Sequence, residues 1–190
     1  MSLLYNISGK WAFIHIPKTA GTSINKILLT DKNTKFLTSH DSIRLLPEDD
    51  LYTFTFVRNP YTRFLSAWNH GVRKNKYTSD LKDFIKNINL NDVWLLPQSY
   101  YINEGKTKNK KVNFIGKYEN LKKDFQIVLN KVGIQGTLEH LNRNPIYNNH
   151  PTLNQENYYL STYKHKTWVR DFVKETYYND FKIFNYDMDI

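Results

Sequence analysis

His15-Ile-Pro-Lys-Thr-Ala-Gly-Thr-Ser-Ile24 is the stretch on which the fold turns. The run that leads into it, Trp11-Ala-Phe-Ile-His-Ile16, is β-prone and stops at Pro17, so it reads as a short strand. Thr22 and Ser23 are expected to cap a helix that runs to about Leu29. A strand feeding a helix N-terminus brings backbone N–H groups and the positive end of the helix dipole to one place, which makes an anion site. Gly21 allows either a positive φ or close approach of an anion to the backbone. The hydroxyls of Thr22 and Ser23 add donors, and Lys18 adds a mobile charge. The lysine precedes the glycine and no Gly-Lys-Ser/Thr follows, so this is not a Walker A sequence. An ordinary capped strand-to-helix turn uses the same residues, and at this point both readings stand.

The same logic recurs at Phe54-Thr-Phe-Val-Arg-Asn-Pro-Tyr-Thr-Arg-Phe-Leu-Ser-Ala-Trp68. Thr53 to Val57 is apolar enough to be buried on both faces, it breaks at Asn59-Pro60, and Tyr61 to Asn69 reads as helix up to Gly71. The chain has six arginines, and two of them, Arg58 and Arg63, fall here. Arg58 follows the strand, at the carboxyl end where open α/β sheets bind their ligands. Arg63 and Ser66 are three apart and share a helix face. A guanidinium and a hydroxyl near a helix start suit a phosphate monoester; a surface helix with incidental arginines is the alternative.

Around these units, Lys35 to Thr38 is a weaker strand and Asn113 to Tyr118 is strand-like. Leu81 to Ile88, Leu121 to Val132 (ending at Gly133) and Trp168 to Asn179 read as helices. Alternation of strand and helix implies an α/β fold with a mostly parallel, helix-covered sheet. The 190 residues show no repeat and no Pro/Gly-rich linker, so a single domain over 1–190 is expected. The absence of cysteine excludes a disulfide framework, a thiol nucleophile and a Cys-ligated zinc. No apolar run approaches the ~20 residues that span a bilayer. The first ten residues lack the pattern of a signal peptide, which makes a cytoplasmic protein the default. A formal charge of +9 fits an anionic partner without naming it. The Lys106-Thr-Lys-Asn-Lys-Lys111 run reads as a solvated loop or, alternatively, an anion-binding one.

Taken together, Ile14-His-Ile-Pro-Lys-Thr-Ala-Gly-Thr-Ser23 and Phe56-Val-Arg-Asn-Pro-Tyr-Thr-Arg-Phe-Leu-Ser66 resemble the sulfotransferases that use 3′-phosphoadenosine 5′-phosphosulfate (PAPS). Within them the chain is most similar to the carbohydrate O-sulfotransferase type, sulfotransferase family 2. Pro97-Gln98 before Tyr100-Tyr101, Gly116-Lys-Tyr-Glu-Asn-Leu121 leading to Asp124-Phe125, and Tyr178-Asn-Asp-Phe181 with Phe184-Asn-Tyr186 extend the resemblance over nearly the whole chain. It implies a P-loop-NTPase-like three-layer α/β sandwich without a required metal. It further implies that Lys18, Thr19, Ala20, Gly21, Thr22 and Ser23 hold the 5′-phosphosulfate, and that Arg58 and Ser66, with Arg63 on the same helix face, hold the 3′-phosphate. Where a kinase uses metal to neutralise developing charge, Lys18 would do so at the bridging oxygen. The acceptor would be a hydroxyl, of a carbohydrate by the same resemblance.

Transfer to a hydroxyl needs a base, and His40 is the candidate: it follows the second predicted strand and titrates near neutrality. Glu48 and Glu119 are the alternatives. His15 reads as packed behind the loop and His70 as a cation favoured at a helix end. His140, His150 and His165 have no metal-ligand spacing, so no metal is expected. Arg143 to Pro151 reads as a closing loop or a plain connector. Gln98, Trp94 and Tyr100 are candidate sugar contacts. Two other readings stay in view: a kinase with a degenerate phosphate loop, and a basic nucleic-acid-binding domain. The latter is disfavoured because the arginines gather at two strand ends and form no stripe with interleaved aromatics.

Overall fold

The structure is a computed structural model that describes residues 3–37, 46, 50–102, 112–138 and 155–190. The chain divides into two compact units, each assembled from two stretches: Met1–Arg58 with Gln98–Arg143, and Asn59–Pro97 with Asn144–Ile190.

The first unit is built on a five-stranded sheet in the order β3-β1-β2-β4-β5. The strands are β1 (Leu3–Asn6), β2 (Trp11–Ile14), β3 (Lys35–Phe36), β4 (Tyr52–Val57) and β5 (Phe114–Lys117). The β2–β4 and β4–β5 pairs are parallel, in the register Ile14↔Thr55 and Val57↔Lys117. β1 is antiparallel to both of its neighbours, so it alone runs against the rest. A tight turn at Ile7–Lys10 allows that reversal, with Lys10 at a φ of 50° and its N–H bonded to the Ile7 carbonyl at 3.1 Å. The weak strand expected at 35–38 is two residues long and lies at the sheet edge.

On one face, Leu4, Trp11, Phe13, Phe54 and Phe56 pack with Ile24, Ile27 and Leu28 of α1 (Gly21–Leu28) and with Phe125, Val128 and Leu129 of α5 (Leu121–Val132). The opposite residues of the two central strands, Ala12, Ile14, Thr53, Thr55 and Val57, are buried as well. That explains why β2 and β4 read as continuous apolar runs without alternation. Stacked rings, Phe13 on Phe54 with centroids 5.3 Å apart, tie the two strands together. Gly133 ends α5 in the left-handed conformation at φ 72°, as its place after the apolar pattern predicts. The short α4 (Gln98–Ile102) also belongs to this unit.

The second unit is helical: α2 (Pro60–Arg73), α3 (Leu81–Lys86), α6 (Gln155–His165), α7 (Thr167–Thr176) and α8 (Tyr178–Ile183). Asn59 caps α2 by accepting from the Tyr61 N–H at 2.9 Å, and Pro60 occupies the first helical position, where its missing N–H is no loss. Gly71 does not stop α2; a Cβ there would collide with the Tyr77 ring, so packing rather than termination requires it. Much of the aromatic content is spent in this core. The hydroxyls of Tyr61, Tyr163 and Tyr177 each donate at 2.7 Å to a carbonyl, those of Met188, Tyr61 and Leu95. Burial pushes the Tyr61 hydroxyl up to about 12. The helix expected over 168–179 is interrupted at Tyr177, which caps α7 and opens α8.

Asp92 anchors the loop after α3. It accepts from the Tyr77 hydroxyl at 2.6 Å, the Lys76 ammonium at 2.7 Å and the Trp94 N–H at 3.1 Å. Burial by itself pushes this carboxyl up. The donors outweigh it and hold the group below the usual carboxylate range. Burial and the same pairing push the Tyr77 hydroxyl well up.

Candidate active site

Between β2 and α1 the chain passes through Pro17 to Ala20 in a loop whose backbone is strained at two places. Lys18 and Ala20 both sit in the left-handed region, at φ 71° and 70°, with Thr19 between them outside it. For a residue with a Cβ, each such conformation costs about 1–2 kcal/mol. The left-handed Ala20 followed directly by the right-handed turn of α1 is the alternation that turns successive N–H groups to one side, the concavity that receives anions. Ala20 is the N-cap of α1, with no side-chain cap bond. The expected capping by Thr22 and Ser23 is therefore corrected: both lie inside the helix, and the left-handed turn at Ala20 sets the start instead. The Ser23 and Ile24 N–H groups already bond the Ala20 carbonyl, at 2.9 and 3.2 Å. Those of Ala20, Gly21 and Thr22 meet no acceptor among the described residues, as the first turn of a helix dictates.

Gly21 does not take a positive φ. Its lack of a side chain serves close approach, and the group that approaches is the His15 ring, which occupies the space a Cβ would need. His15 is buried and stacks on Phe13 with centroids 5.8 Å apart and planes inclined by 14°. It lies behind the loop, as its place in the strand suggested. Thr19 is fully buried, and its hydroxyl donates to the Ile16 carbonyl at 2.8 Å, closing the loop on itself. Thr22 is exposed and Lys18 half-buried.

Arg58 follows β4 directly, at the same carboxyl edge, and is only 2% exposed. Its Nη1 donates to the Lys18 carbonyl at 3.3 Å, and its Cζ lies 4.2 Å from the centroid of the Tyr118 ring. The two motifs found separately along the chain thus touch within the first unit. The backbone of Arg58 is held by Gln98: its N–H donates to Gln98 Oε1 at 2.8 Å, and Gln98 Nε2 donates to its carbonyl at 2.9 Å. The Gln98 amide stands in for the neighbouring strand that β4 has run out of. Gln98 is fully buried and both ends of its amide are engaged, so the expected sugar contact is corrected to a structural one. Tyr118 escaped notice as a partner of Arg58, although it lies in the quoted Gly116–Leu121 stretch. A stacking partner supplied from a separate strand leaves no spacing signal.

Arg63 and Ser66 lie on α2 in the second unit, both buried. The Arg63 guanidinium donates to the Leu96 carbonyl at 2.8 Å and to that of Trp94 at 3.5 Å. Trp94 is half-buried beneath the Lys76 ammonium, 4.5 Å from its ring, and meets His70 edge-on; Tyr100 is exposed. Glu119 is exposed on the turn Tyr118–Asn120, and His165 ends α6. His40, Glu48, His140, His150, the lysines at 106–111 and the 143–151 stretch lie outside the described residues. β3 runs parallel to β2 and β4, since both it and β2 oppose β1. It leaves the sheet with the Leu37 N–H bonded to the Leu3 carbonyl at 2.9 Å. Leu3 pairs with Ile14, so β3 ends at the edge of the sheet where the loop begins.

Among the described residues no three His, Asp or Glu side chains gather as a metal site would require, and no helix is long and apolar enough to cross a membrane. An uncharacterized protein of Archaeoglobus fulgidus is 30% identical over 92 residues, which cover 48% of this chain and 75% of that protein. No solved structure matches. Residues 4–187 match the sulfotransferase family, which takes in the strained loop, Arg58, Gln98 and Tyr118 alike. The chain belongs to the sulfotransferase family.

Proposed function

We propose that the protein transfers a sulfuryl group from PAPS to a hydroxyl, that of a carbohydrate, and that residues 1–190 act as one functional domain of the P-loop-like, three-layer type. The observation that carries the reading is the loop at Lys18–Thr22. Two left-handed residues stand there, at a helix start whose Ala20, Gly21 and Thr22 N–H groups meet no acceptor among the described residues, and a buried arginine is fastened to the same loop. A loop that spends strain in this way has the chemistry to receive a phosphosulfate without a metal.

In this proposal the N–H groups of Ala20, Gly21 and Thr22, with the Thr22 and Ser23 hydroxyls, hold the 5′ group. Thr19, whose own hydroxyl is committed to Ile16, supports the loop. Lys18 sits on the left-handed turn, from which its ammonium can meet the negative charge that grows on the bridging oxygen as the sulfur–oxygen bond breaks. Arg58 takes the 3′-phosphate. Ser66 shares that role on the strength of the resemblance, while Arg63, with its two carbonyl partners, serves to hold the 94–96 segment. His40 accepts the acceptor proton, with Glu48 and Glu119 as the alternative bases. A cytoplasmic location belongs to the same proposal.

The test is thermal stabilisation by 3′,5′-adenosine bisphosphate against ATP–Mg²⁺ and single-stranded DNA, followed by sulfate transfer to a panel of glycans. The bisphosphate should stabilise most, and Arg58→Ala should reduce that effect. His40→Ala should leave binding intact and abolish transfer. Stabilisation by ATP–Mg²⁺ alone would overturn the reading in favour of a kinase.

A further inference from the structure

We infer that Tyr118 is a positioning residue for Arg58 and thereby sets the preference of the site for a 3′-phosphorylated nucleotide; this rests on the proposed reading of the site. A guanidinium has donors only along the edges of its plane. A partner that engages an edge consumes donors, whereas an aromatic ring against the face fixes the plane and consumes none. Arg58 has both kinds of support. One edge nitrogen is committed to the Lys18 carbonyl at 3.3 Å, and the Tyr118 ring stands against the face at 4.2 Å. Together these define the plane in which the guanidinium lies.

Tyr118 is itself held in place. It opens the turn that follows β5, and the Asp124 carboxylate accepts from the Lys117 N–H at 2.8 Å, locking that turn to the first turn of α5. The Arg58 backbone is fixed independently by Gln98. What Tyr118 adds is therefore restriction of the long side chain, whose rotamer freedom an incoming phosphate would otherwise have to remove. A ligand without a 3′-phosphate gains nothing from that restriction, so the ring acts on discrimination rather than on nucleotide affinity in general.

The experiment is calorimetric titration of the full chain with 3′,5′-adenosine bisphosphate and with 5′-AMP, for wild type, Tyr118→Phe, Tyr118→Leu and the chain carrying pentafluorophenylalanine at 118. Tyr118→Leu and the pentafluoro ring should each reduce the affinity ratio of the two ligands by about two- to thirty-fold, the range of a cation–π contact. Tyr118→Phe should keep the wild-type ratio. The pentafluoro ring keeps the shape and reverses the charge of the face, so it reports even where leucine impairs folding. A wild-type ratio in the pentafluoro protein, or a loss in Tyr118→Phe equal to that of leucine, would overturn the inference. A wild type that does not prefer the bisphosphate at all would instead overturn the proposed function beneath it.

Discussion

Gly21→Ala places a methyl group inside the volume of the His15 ring. The ring has little room to yield: it is buried, stacked on Phe13, and Phe13 is in turn stacked on Phe54 in the middle of the sheet. Relief must come from moving the ring, moving the loop, or both. Overpacking of this kind costs about 1–3 kcal/mol. A chain of 190 residues loses about 2–4 °C of Tm per kcal/mol, so the variant should melt roughly 2–12 °C below wild type. Because Gly21 directly follows the strained loop and its N–H is one of the three proposed to hold the 5′ group, bisphosphate affinity should fall with it. Scanning calorimetry on wild type, Gly21→Ala, His15→Ala and the double variant separates the collision from any general sensitivity of the helix start. If the collision is the cause, His15→Ala removes it. The two changes then fall short of additivity by about 0.5–3 kcal/mol. Strict additivity, or a Gly21→Ala protein with wild-type Tm, would refute the account of why glycine stands at 21.

Ala20→Gly should move the other way in stability, since glycine adopts φ 70° without a Cβ penalty. A Tm raised by a few degrees is expected together with weaker bisphosphate binding, because the loop is then less committed to its bound shape; a lowered Tm would count against strain at this position. Asp92→Asn tests the ion network of the second unit. The carboxyl of Asp92 sits below its ordinary value when folded, so its stabilising contribution is complete above the unfolded-state value of about 3.9 and is lost as pH falls through the lower folded-state value. The asparagine variant should show a lower urea midpoint at neutral pH and a shallower loss of stability on the acid side. An acid limb parallel to that of wild type would exclude Asp92 as its source.

Strand–turn–helix units were legible where proline marks the break, at Pro17 and Asn59-Pro60, and where a glycine ends a helix in the left-handed conformation, at Gly133. What stayed hidden has physical reasons. β1 offers four residues, buried throughout most of its length, followed at once by a turn, so no alternation distinguishes it. α6 buries its Tyr159 and Tyr163 four apart, in an otherwise polar stretch whose apolar stripe is too thin to read. The break at Tyr177 carries no proline or glycine. At the site, the strand-to-helix loop and the place of Arg58 at a strand end were legible because helix starts and strand ends have local signatures. The left-handed backbone at Lys18 and Ala20 was not, since neither is a residue that prefers it. Nor were the partners of Arg58, Gln98 and Tyr118, which arrive from 40 and 60 positions further along.

Gln98 has one further consequence. Arg58 and Gln98 are the last residue before, and the first after, the Asn59–Pro97 excursion into the helical unit, and their paired amide bonds clasp its two ends together. An excursion closed at its base in this way tolerates change in length along its interior, because the loop-closure cost grows only slowly with length. Extra residues in the exposed 73–76 or 89–91 turns would leave the clasp untouched. A single residue inserted between Pro97 and Gln98 would pull the amide out of step with the Arg58 peptide and release the arginine from its seat. The boundary of the excursion is thus less tolerant of insertions and deletions than its exposed turns.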